Sequence, residues 1–347
     1  MLKVRLPLLS DHALRHILKK SSSLTEINEI REIIENVLIK KGLFFPKNSS
    51  FYYKNRYCNQ DNFNVLICGG LFERNFSKVV RSVIQFDVKS FETTNYLPRM
   101  TEWRSSAFKA VCVKGNIYVF GGFNQDADQI LHVEKYSSTN KTWKKVAVMP
   151  DSLYMYTACA FMDKIFIIGG INRQPCIDID TNSCTQLDTN DGNWKEVNGM
   201  NEARGDPACA VFQGRLVVSG GYSKTSGYLN TVEAYDVFAN EWSPMANMNE
   251  RTDDHKMVVV GDKLFVIPHG TYSCDVFDNA SKKFVALRCP FEFFRYCRVV
   301  AIGETIYVFD RNSSIYCYDV NENKWSVESC GATENILGFS CVKLHSY

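Results

Sequence analysis

The chain has 347 residues, of which 45% are hydrophobic and 13% aromatic, so it can bury a large core and is not expected to be disordered. Its 40 lysines and arginines nearly balance 38 aspartates and glutamates, which leaves a formal net charge of +2. General binding to nucleic acid or to an anionic membrane therefore has little support, and any charge selectivity must come from local groups.

Thirteen cysteines are scattered along the chain, and many of them lie inside apolar runs. The count is odd, no CxxC pair occurs, and the N-terminus does not read as a secretory leader. This usage favours reduced thiols packed as small hydrophobes in the cytosol or nucleus, without zinc, and of these two compartments we predict a cytoplasmic location. No apolar stretch approaches the roughly 18 residues that a membrane helix needs.

The N-terminal residues 1–44 are predicted to be helical. Ser10 can cap a short helix, and a longer amphipathic helix follows, with apolar residues at steps of three and four between Leu24 and Leu38 and a stop signal at Gly42. Residues 45–62 are polar and aromatic without a period, which favours a linker whose aromatic side chains pack onto the next domain.

From residue 63 onward, short strands with turn signals replace the helical period. Four apolar runs end in paired glycines that recur about every 50 residues, the length of a four-stranded kelch-type propeller blade. The pairs are Gly69 and Gly70, Gly121 and Gly122, Gly169 and Gly170, and Gly220 and Gly221. We expect each pair where an inner strand leaves the crowded centre of a propeller, because glycine has no Cβ and accepts unusual backbone angles.

A second marker follows, a bulky residue seven positions before an aromatic one. The pairs are Tyr136 with Trp143, Leu187 with Trp194, Tyr235 with Trp242, Phe277 with Phe284, and Tyr318 with Trp325. Such pairs are expected to fill the wedge between neighbouring blades, with the polar tips of Tyr and Trp bonded to partners. The two markers together predict an all-β fold, a β-propeller over residues 63–347.

Two degenerate copies of the repeat, at 262–278 and 304–319, bring the predicted number of blades to six. The first blade then lacks one strand, whereas the last blade is followed by a surplus strand near 338–344. We expect this strand to pair into the first blade, because that pairing closes the ring and removes exposed strand edges.

The glycine, Tyr-Asp and Trp repeats over 63–344, preceded by VRLPLLS at 4–10 and a helical pair, resemble the C-terminal part of Kelch-like proteins. In that family a BTB domain, a helical BACK domain and a six-bladed kelch propeller follow one another. Here the resemblance matches the end of a BACK domain, in residues 1–44, and the propeller. It includes no BTB domain, and the last two blades lack the glycine pair.

The resemblance implies that the propeller recognises substrates for a cullin-RING ubiquitin ligase, and that a cullin binds only if a BTB domain is supplied. The alternative is a cytoskeletal or actin-binding kelch scaffold with no role in ubiquitin transfer. In either case the expected partner is a protein bound through the propeller loops, and an upstream BTB domain in the same reading frame would favour the ligase adaptor.

One face of the predicted propeller carries the loops after the inner strands and the connections between blades. The predicted partner-binding residues on this face are Arg74, Arg104, Tyr154, Tyr156, Arg204, Tyr228, Arg251 and Arg295. Four of the arginines recur in connections between blades, and a rim of guanidinium and aromatic groups would clamp an acidic, turn-forming peptide. The alternative is that each arginine pairs with a loop carboxylate, such as Glu102, Glu202, Glu250 or Asp253.

Catalytic chemistry has little support in the sequence. The six histidines are dispersed, and His12 and His16 are expected on a solvated helix face although their i, i+4 spacing suits a metal. A Ser-His-Asp or Cys-His assembly forms in space, so sequence spacing neither selects nor excludes one. We therefore expect a binding module that is not an enzyme and holds no metal or cofactor.

Overall fold

The computed structural model describes residues 63–72, 79–105, 107–173, 177–293, 295, 297–310, 314–329, 336–337 and 340–345. The predicted helical segment 1–44 and the linker 45–62 lie outside the described residues. Within the described ranges all regular structure is β-strand, so the predicted all-β fold class is confirmed. In this part of the chain no helix has the length and apolarity to cross a membrane.

The described strands form six main antiparallel sheets in chain order. Sheet 1 contains β1 (Phe63–Phe72), β2 (Val79–Asp87) and β3 (Glu92–Leu97), and sheet 2 contains β4 (Phe108–Val113), β5 (Asn116–Gly121), β6 (His132–Ser137) and β7 (Thr142–Val148). Sheet 3 contains β9 (Thr157–Phe161), β10 (Lys164–Ile168), β13 (Cys184–Asp188) and β14 (Trp194–Val197). Sheet 4 contains β15 (Ala208–Phe212), β16 (Arg215–Ser219), β19 (Val232–Asp236) and β20 (Glu241–Pro244).

The last two sheets have the same order as sheet 2. Sheet 5 contains β21 (Lys256–Val260), β22 (Lys263–Ile267), β23 (Ser273–Asp278) and β24 (Lys283–Arg288), and sheet 6 contains β25 (Arg298–Ile302), β26 (Thr305–Phe309), β27 (Ser314–Asp319) and β28 (Lys324–Ser329). Two small sheets lie in connections. They are formed by β8 (Leu153–Tyr154), β11 (Ile171–Arg173) and β12 (Asp178–Asp180), and by β17 (Tyr222–Ser223) and β18 (Gly227–Tyr228).

The C-terminal end of the described chain completes sheet 1. The strands β29 (Ile336–Leu337) and β30 (Ser340–His345) both pair antiparallel with β1, and Val342 lies opposite Leu66. In every other main sheet this place, beside the second strand, is filled by the sheet's own first strand. The chain thus returns from its last strand to its first sheet.

The first strands of the sheets line a closed ring. Going round it, β30 contacts β4, β4 contacts β9, β9 contacts β15, β15 contacts β21, β21 contacts β25, and β25 contacts β30. Six apolar clusters formed by described residues each join two consecutive sheets. Sheet 6 also packs on sheet 1, since the ring of Phe309 meets that of Phe86 edge to face at 5.7 Å. This arrangement is that of a kelch-type β-propeller.

The sequence analysis placed the glycine-ended strands at the centre of the propeller, and this assignment is wrong. The strands that contain or directly precede the glycine pairs, β1, β5, β10 and β16, are second strands, and the strand beside each of them lines the ring. The sequence pattern did not separate the two positions because both kinds of strand are short apolar runs, although only the second strands are buried along almost their whole length.

The seven-residue spacing of bulky residues corresponds to direct cross-strand pairing of the third and fourth strands. Tyr235 lies opposite Trp242, with ring centroids 4.9 Å apart, and the Trp242 indole N–H donates to the carbonyl of Asn198 at 2.7 Å. Asn198 belongs to the connection from the preceding sheet, so the pair joins two blades. The expected polar partner is missing for Trp194 and Trp325, whose buried indole N–H groups have none among the described residues.

Candidate partner-binding face

We use the name loop face for the end of the ring that carries two kinds of segment, the second-to-third-strand connections and the connections from one sheet to the next. The glycine pairs make room for the latter. At Gly170, with φ +104°, a Cβ would lie 2.8 Å from the Cβ of Tyr156. At Gly220, with φ +54°, it would lie 2.6 Å from the carbonyl oxygen of Thr252. Each of these glycines thus lets a connection between two sheets lie directly over it.

Arg104 belongs to the connection between sheets 1 and 2 and is fully buried, at 0% exposure. Its guanidinium donates to Glu134 Oε1 at 2.9 Å and 3.2 Å, and to the carbonyls of Gly121 and His132 at 2.5 Å and 2.7 Å. The other carboxylate oxygen of Glu134 accepts from the backbone N–H and the hydroxyl of Thr101, both at 2.7 Å. The pair joins a connection to the second and third strands of its own sheet.

Arg204 repeats this arrangement in sheet 4 and is also 0% exposed. It donates to Glu233 Oε1 at 2.7 Å and to the carbonyls of Gly220 and Thr231 at 3.0 Å each, while Asn201 occupies the other oxygen of Glu233. The prediction that Arg104 and Arg204 bind a partner is therefore wrong, because burial removes both guanidinium groups from the surface. The alternative, that each arginine pairs with a carboxylate of the protein itself, describes both residues. Their main partners, Glu134 and Glu233, lie on strands and not in loops.

Arg251 does not stand at the same step of the repeat. In three connections between sheets, the residue that follows a buried methionine donates its backbone N–H to a buried carboxylate. The pairs are Thr101 with Glu134, Asn201 with Glu233, and Asn249 with Asp275. Counted from that anchor, the position of Arg104 and Arg204 is taken by Thr252, and Arg251 comes one residue earlier. Its side chain is exposed, and Nη1 donates to the backbone carbonyl of Tyr228 at 3.1 Å.

Two of the three tyrosines predicted for this face, Tyr154 and Tyr156, differ in their exposure. Tyr156 is completely buried, and its hydroxyl donates to the carbonyl of Phe120 at 3.0 Å, so its predicted contact with a partner is wrong. Burial raises the pKa of this phenol. Tyr154 is half-buried and donates to Asp178 Oδ2 at 2.7 Å. Arg74 lies outside the described residues.

Arg295 is 47% exposed and forms an ion pair with Asp253, from Nη2 to Oδ1 at 2.8 Å. His269 Nε2 lies 3.2 Å from the same oxygen. The hydrogen bond from His269, followed by the charge of Arg295, lowers the pKa of Asp253. Arg295 therefore also pairs with a loop carboxylate of the protein itself, although its guanidinium remains partly exposed.

The sequence analysis missed an apolar surface on the loop face above sheets 3 and 4. Its five side chains are each between 41% and 57% exposed, and we call them the apolar patch. They are Met155, Ile177, Ile179, Tyr222 and Tyr228. Of these, Tyr228 was predicted. A signal for Tyr222 was present in the sequence, since it directly follows the last glycine pair, but exposure cannot be read from position alone.

Backbone pairing between the two sheets holds the apolar patch together. Gly205 and Tyr222 exchange N–H to carbonyl hydrogen bonds of 2.8 Å, and the N–H of Asp206 donates to the carbonyl of Met155 at 2.5 Å. The rings of Tyr222 and Tyr228 meet at 5.5 Å. Lys224 links the two small sheets, because its N–H donates to Asp180 Oδ2 at 3.2 Å. The patch is thus presented on short strands.

The Trp103 ring is partly exposed and lies beneath the Arg81 guanidinium, 4.8 Å from it. The buried pair of Ser219 and His255, 2.7 Å apart, does not form a usable nucleophile, because both side chains are enclosed and the hydroxyl also contacts Met257 Sδ at 2.8 Å. Among the described residues no group of three or more His, Cys, Asp or Glu is placed to hold a metal ion.

The ring of sheets, the connections that lie directly over paired glycines and the exposed loop face define a kelch-type propeller with a surface for protein partners. Residues 57–270 match the family model described as the KLHDC2/KLHL20/DRC7 Kelch-repeats domain, and the chain belongs to this Kelch-repeat family.

Curated relatives are similar over parts of their length. Kelch-like protein 35 of Mus musculus is 25% identical over 235 residues, covering 62% of this chain and 39% of the relative. Kelch-like protein 23 of Homo sapiens is 28% identical over 148 residues, 42% of this chain and 25% of the relative. Kelch repeat protein M-T8 of Myxoma virus (strain Lausanne) is 25% identical over 187 residues, 54% and 35% respectively. The chain thus spans well under half of the length of these relatives.

Proposed function

We propose that this propeller binds a target protein through the apolar patch and serves as the substrate-recognition part of a cullin-RING ubiquitin ligase adaptor. The observation that carries the proposal is the patch itself, five apolar side chains on neighbouring segments that are each about half exposed. Contiguous exposed apolar side chains mark protein interaction sites, whereas single ones need no explanation. Tyrosine is also among the residues enriched at interface hot spots.

Arg251 is an exposed cation beside the patch. Its guanidinium is held at Nη1 by the carbonyl of Tyr228, whose ring belongs to the patch. A target segment with apolar side chains and a nearby carboxylate would satisfy both groups, since guanidinium binds carboxylates bidentately. This arrangement replaces the predicted arginine rim with one arginine next to an apolar anchor site.

The ligase role rests on the resemblance to Kelch-like proteins, in which the propeller holds the target and a BTB domain holds the cullin. We therefore expect the purified chain alone not to capture a cullin, and to do so only together with a BTB domain. Direct cullin binding by the 347-residue chain would contradict this division of labour. The competing function is a scaffold that binds actin or another cytoskeletal protein without ubiquitin transfer.

The test of the binding surface is a quantitative comparison of partners captured by the wild-type chain and by a Met155→Asp, Tyr228→Asp variant. Met155 has φ +52°, which aspartate accepts more readily than most residues, so this substitution adds little backbone strain. The matched control is Val285→Asp with Val327→Asp, on outer strands away from the loop face and similarly exposed. We expect the patch variant to weaken binding of the target by roughly 30-fold or more, as for a hot spot worth about 2 kcal/mol.

The ligase role is tested on the same captured target. Excess of this chain should lengthen the target's half-life in cells, because a propeller without its cullin-binding partner competes for the target, and the patch variant should not. If the target is lost from the patch variant but its turnover never changes, the scaffold function replaces the ligase role. If the patch and control variants capture the same partners, the binding surface itself is wrong.

A further inference from the structure

Two cysteines meet between the innermost strands of sheets 3 and 4. Cys159 lies on β9 and Cys209 on β15, and these strands contact each other at the ring. The Thr157 hydroxyl donates to Cys209 Sγ at 3.2 Å. Cys209 is only partly buried, whereas Cys159 is 9% exposed. Cys209 packs against the apolar cluster that contains Cys159, so the two side chains are neighbours, and Cys209 is the more exposed of the two residues.

Their surroundings make the two thiols unequal. A hydrogen bond from Cys159, a second one from Thr157 and the positive charge of Lys109 together lower the pKa of Cys209 against the opposing effect of burial. The same hydrogen bond, together with burial, raises the pKa of Cys159, which keeps its proton. Cys184 faces the pair from β13, and its pKa is raised by burial. The pKa of one thiol is thus lowered and that of its neighbour is raised.

Three other described cysteines, Cys112, Cys274 and Cys289, each lack one of these features. Cys112, on β4, is partly buried but its pKa is raised by burial. Cys274 and Cys289 form a second pair with a hydrogen bond between the thiols, but they are 2% and 1% exposed, so an oxidant cannot reach them without opening of the sheet. Reactivity of a thiol needs both thiolate character and access.

We propose that Cys209 and Cys159 form a peroxide-reactive thiol pair that closes to a disulfide between the innermost strands of sheets 3 and 4. The Cys209 thiolate attacks one oxygen of hydrogen peroxide, so that an S–O bond forms, the O–O bond breaks and the hydroxide released is protonated to water. The sulfur of Cys159 then attacks the Cys209 sulfur, the S–S bond forms and the S–O bond breaks. The second hydroxide takes the Cys159 proton and leaves as water.

The position gives the disulfide a route to the loop face. Met155 comes two residues before β9 and Asp206 two residues before β15, and the N–H of Asp206 donates to the carbonyl of Met155. A covalent bond between the two strands would thus lie just below the segments that carry the apolar patch. The proposal does not rest on the proposed function, since it concerns thiol chemistry that is measured without a protein partner.

The test uses the fully reduced 347-residue chain, treated with hydrogen peroxide at about one equivalent, blocked with a maleimide and mapped by peptide mass spectrometry. We expect a peptide cross-linked between Cys159 and Cys209, reversed by dithiothreitol, before any change at Cys112 or at the Cys274 and Cys289 pair. Cys159→Ser should leave Cys209 as a sulfenic acid that dimedone traps. Cys209→Ser should leave Cys159 reduced.

Lys109→Met tests the electrostatic contribution, and we expect Cys209 to react with peroxide roughly threefold or more slowly, since less thiolate is present at neutral pH. Cys112→Ser is the matched control on the neighbouring innermost strand and should leave the rate unchanged. The wild-type measurement stands even where a variant fails to fold. The proposal is overturned if wild-type Cys209 stays unmodified, if the Cys274 and Cys289 pair oxidises first, or if Cys209 is oxidised without a bond to Cys159.

Discussion

Two buried arginines, Arg104 and Arg204, fix the connections of sheets 1 and 3 to the sheets that follow them. Each is fully buried and reaches both a carboxylate and two backbone carbonyls, so its desolvated charge is met by several partners. A buried ion pair adds little net stability over an apolar pair of the same shape, but removing one partner leaves an uncompensated charge. Their recurrence therefore reflects folding and not partner binding.

Arg204→Met should destabilise the protein by about 3–5 kcal/mol, because Glu233 would remain buried without its guanidinium partner. Arg251→Met provides the matched control, since its exposed side chain should change the free energy of unfolding by less than about 0.5 kcal/mol. Urea unfolding of the two variants and of the wild type measures both values. Equal unfolding midpoints for the two variants would contradict the structural role of Arg204.

His255 should make the protein less stable in mild acid. Burial, with the charge of Lys256 as the next cause, lowers the pKa of His255 to about 3, while Asp254 and Asp253 act in the opposite direction and His269 adds to the lowering. The folded state thus binds a proton less readily than the unfolded chain. Stability is fully present above the ordinary histidine pKa of about 6.5 and is lost progressively as pH falls from there towards 3.

His255→Asn should remove this contribution, so the variant should lose less stability than the wild type between pH 7 and pH 5. Each pH unit in the window costs the wild type up to about 1.4 kcal/mol from this group alone. The exposed His132 offers a control, and His132→Asn should keep the wild-type slope. Unfolding free energies measured at several pH values give the slopes, and parallel lines for wild type and His255→Asn would refute the assignment.

Part of the residue-scale chemistry was present in the sequence. Arg104 and Glu134 are 30 residues apart and Arg204 and Glu233 are 29 apart, so the acid recurs with the arginine. The sequence analysis paired the arginines with nearby loop carboxylates or with a partner. Whether an arginine and an acid about 30 residues apart become buried together depends on the packing of a whole blade, which the sequence pattern does not show. The sequence also did not show that Arg251 lies one residue before the repeat position of Arg104 and Arg204. The hydrogen bond from Asn249 to Asp275 identifies that position in the structure.

At the scale of single elements, the glycine pairs are needed for the connection that leads into the next sheet. At Gly220 an added Cβ would lie 2.5 Å from His255 Cε1 and 2.6 Å from a backbone oxygen, in addition to the left-handed φ of +54°. Gly227 also has a left-handed φ, +73°, but has no atom within 4 Å of the added Cβ. The two positions therefore separate crowding from backbone strain.

Gly220→Ala should destabilise the protein by roughly 2 kcal/mol more than Gly227→Ala, because overlap with well-packed neighbours typically costs 1–3 kcal/mol beyond the conformational penalty. Both variants should share the cost of a left-handed alanine, about 1–2 kcal/mol. Thermal melting of the two variants beside the wild type measures the difference. If the two alanines cost the same, the glycine pair serves only the backbone angle and not the close approach.

Strands were predictable because local patterns determine them, whereas their order in a sheet was not. The spacing of Tyr235 and Trp242 marked a pair expected between blades, and the structure shows that the two residues are also cross-strand partners in a hairpin with a tight turn. The position of a strand within its sheet, first or second from the ring, depends on contacts between strands that are distant in sequence, such as β4 and β9. The apolar patch was missed for the same reason, as it joins segments of two sheets.

At the scale of the whole molecule, the ring depends on the strand that arrives last. β30 pairs along β1 from Phe63 to Cys68, and it also contacts β4 on one side and β25 on the other. The sequence analysis inferred such a strand by elimination, since the repeat left the first sheet one strand short. The inference needed only the number of repeats and the rule that closed rings avoid free strand edges.

Ending the chain at residue 335 should therefore abolish cooperative folding and not merely trim a tail. The truncation removes β29 and β30, leaves one edge of β1 unpaired, and opens the apolar clusters at both neighbours, because Val342 belongs to the cluster of sheets 1 and 2 and Cys341 packs on that of sheets 6 and 1. A chain ending at His345 keeps both strands and is the matched control, expected to melt like the wild type. Circular dichroism and thermal melting compare the three chains.

A synthetic peptide of residues 336–347 should restore a cooperative transition to the truncated chain, because it supplies the missing edge strand. Melting of the truncated chain at the wild-type temperature without the peptide would show that the ring is stable with an open first sheet, and the closure argument would fail.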